Sequence, residues 1–181
     1  MQAILRLQIY PASMKRIAVA FALIMASISL TGCTNNLGNS DIMFAQMMIP
    51  HHQQAVDMGT LAETRALNPQ VKDLAAKIKS EQAPEIIQMK GWLADANASM
   101  DMGHDMGMGG MLSDADMQAL AAAKGAEFDK LFLEGMIAHH EGAIHMAQMV
   151  VDSNNAEAAA LGKAIIESQT AQIKFMESLL K

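Results

Sequence analysis

The stretch from Met100 to Met111 reads MDMGHDMGMGGM and sets five thioethers, on Met100, Met102, Met106, Met108 and Met111, around the imidazole of His104. A thioether has no proton to lose and prefers soft ions, above all Cu(I), for which Ag(I) is the chemical mimic. Imidazole suits copper as well. No packing rule asks for this composition. A helix face needs apolar residues three and four apart, and a strand needs branched or aromatic side chains. Glycines 103, 107, 109 and 110 make either element costly, so the segment reads as a flexible loop exposing soft sulfur. The competing reading is a low-complexity linker in which methionine replaces other flexible residues.

A second set of soft donors lies outside that loop. His51-His52 and His139-His140 are paired imidazoles at matching places, and His51 and His139 fall in line with Met48/Met58 and Met136/Met146. His52 and His140 follow Met48 and Met136 by four residues, which on a helix puts a sulfur beside each ring. If the two pairs converge, up to four imidazoles stand among four thioethers. That is an environment for Cu(I), and also for Cu(II), whereas hard ions would want carboxylates. Asp41, Asp129, Gln82 and Gln169 are the other polar residues on these stripes, expected to hydrogen-bond the histidines or to cap backbone. The competing readings are a buried hydrogen-bond network for the histidines and plain core filling for the methionines. Met89 and Met176 sit on stripes without histidine and are assigned to core.

Other chemistries lack their residues. His140 and His145 are five apart, roughly 140° round a helix rather than on one face, so the zinc-protease pattern is not met. No Glu-x-x-His occurs, which removes the di-iron carboxylate pattern of helical bundles. Neither a phosphate-binding loop nor a nucleophile elbow is present.

The elements that must position these donors follow from an internal duplication. At an offset of 88, Asp41, Phe44, Met48, Ile49, His51, His52, Ala55 and Met58 recur as Asp129, Phe132, Met136, Ile137, His139, His140, Ala143 and Met146. One residue earlier in offset, Leu74, Ile78, Gln82, Ile86, Met89 and Leu93 recur as Leu161, Ile165, Gln169, Ile173, Met176 and Leu180. The steps of three and four within each set describe one stripe on a helix. Each copy is therefore two amphipathic helices joined by a turn, at Asn68-Pro69 and at Ser153-Asn154-Asn155. Two such hairpins predict an all-α four-helix bundle, ferritin-like, with a pseudo-twofold axis. The predicted spans are 41–66, 70–96, 114–152 and 156–180, with Ser113 as an N-cap and the Met-rich loop at 97–113. Pro50 and Pro84 are expected to kink their helices.

Residues 1–33 read as an address. Lys15 and Arg16 precede the apolar run Ile17–Leu30, too short to span a bilayer and fitting a signal-peptide core. The run ends in Leu30-Thr31-Gly32-Cys33, which resembles a bacterial lipobox with Cys33 as the lipidated first residue. Met14 then reads as the true start, and 34–40 as a short linker. Cys33 is the sole cysteine, so neither a disulfide framework nor a thiolate cluster is available. From Cys33 on, the chain keeps all 19 acidic and 10 of 13 basic residues, a formal charge of −9. An acidic surface of this kind argues against nucleic acid and attracts cations.

The runs Met48–Met58 (MIPHHQQAVDM) and Phe128–Ala147 (FDKLFLEGMIAHHEGAIHMA) resemble the bacterial His-His/Met domain family of unknown function, which includes CopM-like copper-binding periplasmic proteins. The resemblance covers 41–181. It implies a ferritin-like four-helix bundle that binds Cu(I) and Ag(I) through methionine and histidine. Ala138 stands where the second motif often has proline, and Gly135 where methionine is frequent. Both changes are expected to weaken the second half-site. The expected protein is a lipid-anchored copper binder of the bacterial cell envelope, acting in sequestration, resistance or transfer to a copper-receiving protein. Two other classes compete with it. A copper-dependent oxidoreductase would need an open coordination position and a substrate pocket, and a Met-rich interaction module would bind no metal.

Overall fold

The computed structural model describes residues 37–101 and 109–181. The expectations for the signal peptide, Cys33, Met102, His104, Met106 and Met108 lie outside the described residues. Five helices follow in order: α1 Asn39–Arg65, α2 Pro69–Asp95, α3 Asp114–Ala122, α4 Ala126–Ala147 and α5 Ala156–Leu179. The starts of α2, α3 and α5 carry side-chain caps. Asn68 Oδ1 accepts from Gln70 N with Pro69 as the first helical residue, Ser113 Oγ accepts from Asp116 N, and Asn155 Oδ1 accepts from Glu157 N and Ala158 N. Each satisfies donors that the first helical turn leaves without partners.

The expected third helix over 114–152 is two helices. It breaks after Ala122, and Gly125 takes φ 66°, the left-handed region that favours glycine. Gly125 N donates to Arg65 O at 2.9 Å, which ties the break to the end of α1. The alanines at 119 and 121–123 favour helix up to the break, so composition alone does not locate it. α1 and α2 continue as single helices through Pro50 and Pro84.

The apolar core falls into two clusters. One holds Phe44, Met48, Ile86, Met89, Trp92, Ala143, Met146 and Ile165. The other holds Ala55, Met58, Leu74, Ile78, Phe128, Phe132, Met136 and Met176. Reading cluster membership along each helix gives its direction. α1 and α5 run from the first cluster to the second, and α2 and α4 run back. α1 packs on α2, α4 on α5, and α1 faces α4 between the hairpins. The chain leaves α2 at the first cluster and enters α4 at the second, so the connection travels the length of the bundle, as in bundles with one long crossover.

Candidate metal centre

Between the two apolar clusters each long helix contributes polar side chains, and seven of them are buried: His51 and His52 on α1, Gln82 on α2, His139 and His140 on α4, and Gln169 and Gln172 on α5. The histidines are fully buried. Met48 and Met146 belong to one of the flanking clusters, and Met58 and Met136 to the other. All eight bundle residues expected from the sequence are buried, the histidines between the two clusters and the methionines within them.

The four imidazoles are held by one kind of bond. His139 Nε2 donates to His51 O at 2.9 Å, and His51 Nε2 to Gly109 O at 3.3 Å. His52 Nε2 faces Glu85 Oε2 at 2.7 Å, and His140 Nε2 faces Gln172 Oε1 at 2.5 Å. Every partner atom is an oxygen acting as acceptor, since the amide of Gln172 donates in turn from Nε2 to Glu81 Oε2 at 2.6 Å. Each Nε2 therefore carries a proton. All four Nδ1 atoms are buried with no hydrogen-bond partner among the described residues, as are Oε1 of Gln82 and of Gln169.

Electrostatics keeps three of these rings uncharged. Burial pushes His51 down to about 3, with His52 lowering it further against the raising effect of the Gly109 carbonyl. Burial likewise takes His140 down to about 4, opposed by its bond to Gln172. His139 lies well below the ordinary 6.5, from burial first and then from the other three imidazoles. The rings of His51 and His139 stand with centroids 3.7 Å apart and planes at 37°. Two imidazolium ions could not occupy that position in a dry core. A neutral imidazole protonated on Nε2 presents a bare lone pair on Nδ1.

Two of the supporting roles take one of their two expected forms. Asp129 accepts Leu67 N at 3.0 Å and Asn68 N at 2.8 Å, and Asp41 accepts Gly38 N at 2.8 Å, so both aspartates cap backbone rather than histidine. The groups that hold His52 and His140 are Glu85 and Gln172, which the sequence reading missed. A signal existed: Glu85 and Gln172 lie three residues after Gln82 and Gln169 and are equivalent under the same offset of 87. They escaped because only identical residues revealed the repeat.

Residues 109–112, at the end of the Met-rich stretch, are docked on α1 and α4. Leu112 N and O pair with the side chain of Gln54 at 2.8 and 3.0 Å, and Gly110 takes φ 84°. A Cβ on Gly142 would lie 1.9 Å from Gly109 O, and one on Gly110 would lie 2.3 Å from Ala138 O. Backbone meets backbone here, and only glycine permits it. Met100 is exposed and Met111 half-buried on the flanks of the Met-rich stretch. Among the described residues, no three His, Cys, Asp or Glu side chains are grouped to hold a metal ion.

Residues 41–180 match the family described as "Domain of unknown function (DUF305)". The chain belongs to this family. Among curated proteins none matches. A solved DUF305 structure from Streptomyces coelicolor, described as a candidate secreted protein, is 33% identical, covers 78% of this chain and 91% of its own, and gives a TM-score of 0.75. CopM has been solved in Cu(I)-, Cu(II)- and Ag-bound forms that are 34%, 38% and 35% identical to this chain, with TM-scores of 0.65, 0.67 and 0.63. Each alignment covers 77% of this chain, and 94%, 94% and 93% of CopM respectively. DUF305 membership and these likenesses agree with the all-helical architecture described above.

Proposed function

We propose that this DUF305 protein is an extracytoplasmic copper-binding protein, anchored by lipid at Cys33, which sequesters Cu(I) or hands it on. The observation that carries the reading is the set of four buried Nδ1 atoms without a hydrogen-bond partner among the described residues, lying between core clusters that hold Met48, Met146, Met58 and Met136. Leaving a buried polar atom without a partner costs about 1–3 kcal/mol, and a layer of such atoms is a poor way to stabilise a core. A soft ion would satisfy them. Two or more imidazoles with thioethers form a donor set for Cu(I), and for Ag(I) in its place, that requires no third carboxylate or thiolate. Since three of the rings are already neutral, metal has no proton to displace from them near pH 7.

The residues fit the ion in chemistry. Imidazoles from His51, His52, His139 and His140 would bind such ions, thioethers from Met48, Met58, Met136 and Met146 would complete their shells, and the apolar surroundings would exclude water. Met100, Met102, His104, Met106, Met108 and Met111 would collect the ion before it reaches the bundle. Copper and silver bound in CopM support the cargo, and the secreted description of the Streptomyces relative supports the compartment. The partner is the metal ion, with a copper-receiving protein in the delivery version, and nucleic acid is not expected.

The test is anaerobic titration of the protein with Cu(I) and Ag(I) in competition with Mn²⁺ and Mg²⁺. Soft ions are expected to bind far more tightly than the hard ions. Comparable affinity for the hard ions would end the proposal. For the anchor, Cys33→Ser is expected to move the protein out of the membrane fraction or leave it as unprocessed precursor. Unchanged fractionation and gel mobility would remove Cys33 from the account.

A further inference from the structure

Glu85 and Gln172 occupy equivalent positions in the two copies and make the same contact, each receiving the Nε2 proton of the second histidine of its pair. One is a carboxylate and the other an amide. Glu85 Oε2 stands 2.7 Å from His52, and Glu85 is only 19% exposed. No lysine or arginine among the described residues pairs with it. In the other copy the negative charge is one side chain further off. Glu81 reaches His140 only through the amide of Gln172, and its other oxygen pairs with Lys77 at 2.8 Å. Thus the first copy presents a nearly undivided carboxylate to its imidazole, and the second presents a neutral amide.

A carboxylate on one nitrogen of an imidazole raises the donor strength of the other, and such outer partners change metal affinity by about 10–100-fold. We infer that Glu85 is a positioning residue that makes the two half-sites unequal, so that a soft monovalent ion engages His52 before His140. This rests on the proposal that the histidine layer binds such ions. It adds an order of filling and names the side chain that sets it. Glu85 acts through His52, by fixing the proton on Nε2 and polarising the ring, and does not itself touch the ion.

The experiment uses Ag(I), which is diamagnetic, titrated into protein with ¹⁵N-labelled histidine while the ring nitrogens are followed by NMR. Before metal is added, His52 is expected as the Nε2-protonated tautomer. A proton found on Nδ1 instead would overturn the inference with no variant needed. During titration the His52 Nδ1 resonance is expected to move at lower Ag(I) than that of His140. In Glu85→Gln, which keeps an acceptor but gives the first copy the amide of the second, the order is expected to disappear and His52 affinity to fall about 10-fold or more. Gln172→Leu is expected to weaken the His140 response and leave His52 first. If His52 and His140 respond together in the unaltered protein, or if Glu85→Gln leaves both affinity and order unchanged, the half-sites are equal and the inference is wrong. If no histidine nitrogen responds to Ag(I), the histidine layer is not a metal site, and the failure belongs to the proposal beneath. Should Glu85→Gln not fold, the tautomer and filling order of the unaltered protein still decide.

Discussion

Lowering the pH of the metal-free protein from 7 to 5 is expected to remove about 2 kcal/mol of stability for each of His51 and His140, with His139 weakening the fold in the same direction. Each has a folded-state pKa below the ordinary 6.5, at about 3 for His51 and about 4 for His140. As pH falls through 6.5 the unfolded chain takes up protons that the folded one refuses, so folding weakens. The loss grows until the folded-state values are reached. Together His51 and His140 account for about 4 kcal/mol at pH 5, a large part of the stability of an ordinary domain, and His139 adds to the loss. Urea denaturation followed at several pH values measures this directly. His140→Gln is expected to make the slope between pH 6.5 and 5 shallower. A stability flat across that interval would mean that the rings are hydrated or charged in the fold, against the buried arrangement described above.

The second large effect separates bundle from loop. At a free ion concentration about 1,000-fold above Kd, binding only to the folded state adds about 4 kcal/mol, a rise of roughly 10 °C in melting temperature for a domain of this size. Replacing His51, His52, His139 and His140 together with glutamine is expected to abolish that rise and remove the tighter class of sites. Replacing Met100, Met102, Met106, Met108 and Met111 with leucine is expected to lower the number of ions bound while the metal-free melting temperature changes little. Calorimetry with and without Cu(I), alongside mass spectrometry of the intact complex, reads both. A quadruple histidine variant with the same stoichiometry and thermal shift would reduce the bundle to a scaffold for the loop.

The bundle and its two copies were legible because helical spacing and repetition are both written in residue identity. Asp41 to Met58 recurs with its intervals intact, and those intervals define the buried faces that the structure shows. Two kinds of information were hidden. The first is backbone conformation. Gly125 ends one helix and begins another, yet a glycine in an alanine-rich, helix-favouring stretch does not announce a positive φ. The second is contact between residues distant in sequence. That Gly142 lies against Gly109 and that Gln172 joins His140 to Glu81 depends on how the hairpins meet, which spacing within one helix cannot encode. The aspartates show the intermediate case: they were recognisable as paired polar residues on the buried stripe, but whether they served ring or backbone waited on the turns around them.

The covalent joining of the two hairpins has a consequence for what the interior can become. Two identical hairpins meeting as separate subunits would be bound to show the same residue at every related place, since one stretch of gene would encode both sides. Here His139 donates to the backbone oxygen of His51, while His51 donates not to His139 but to Gly109 of the connecting segment. Glutamate and glutamine likewise divide the related positions 85 and 172. Fusion into one chain lifts the symmetry restriction, so each half can accumulate its own substitutions while the shared packing is kept.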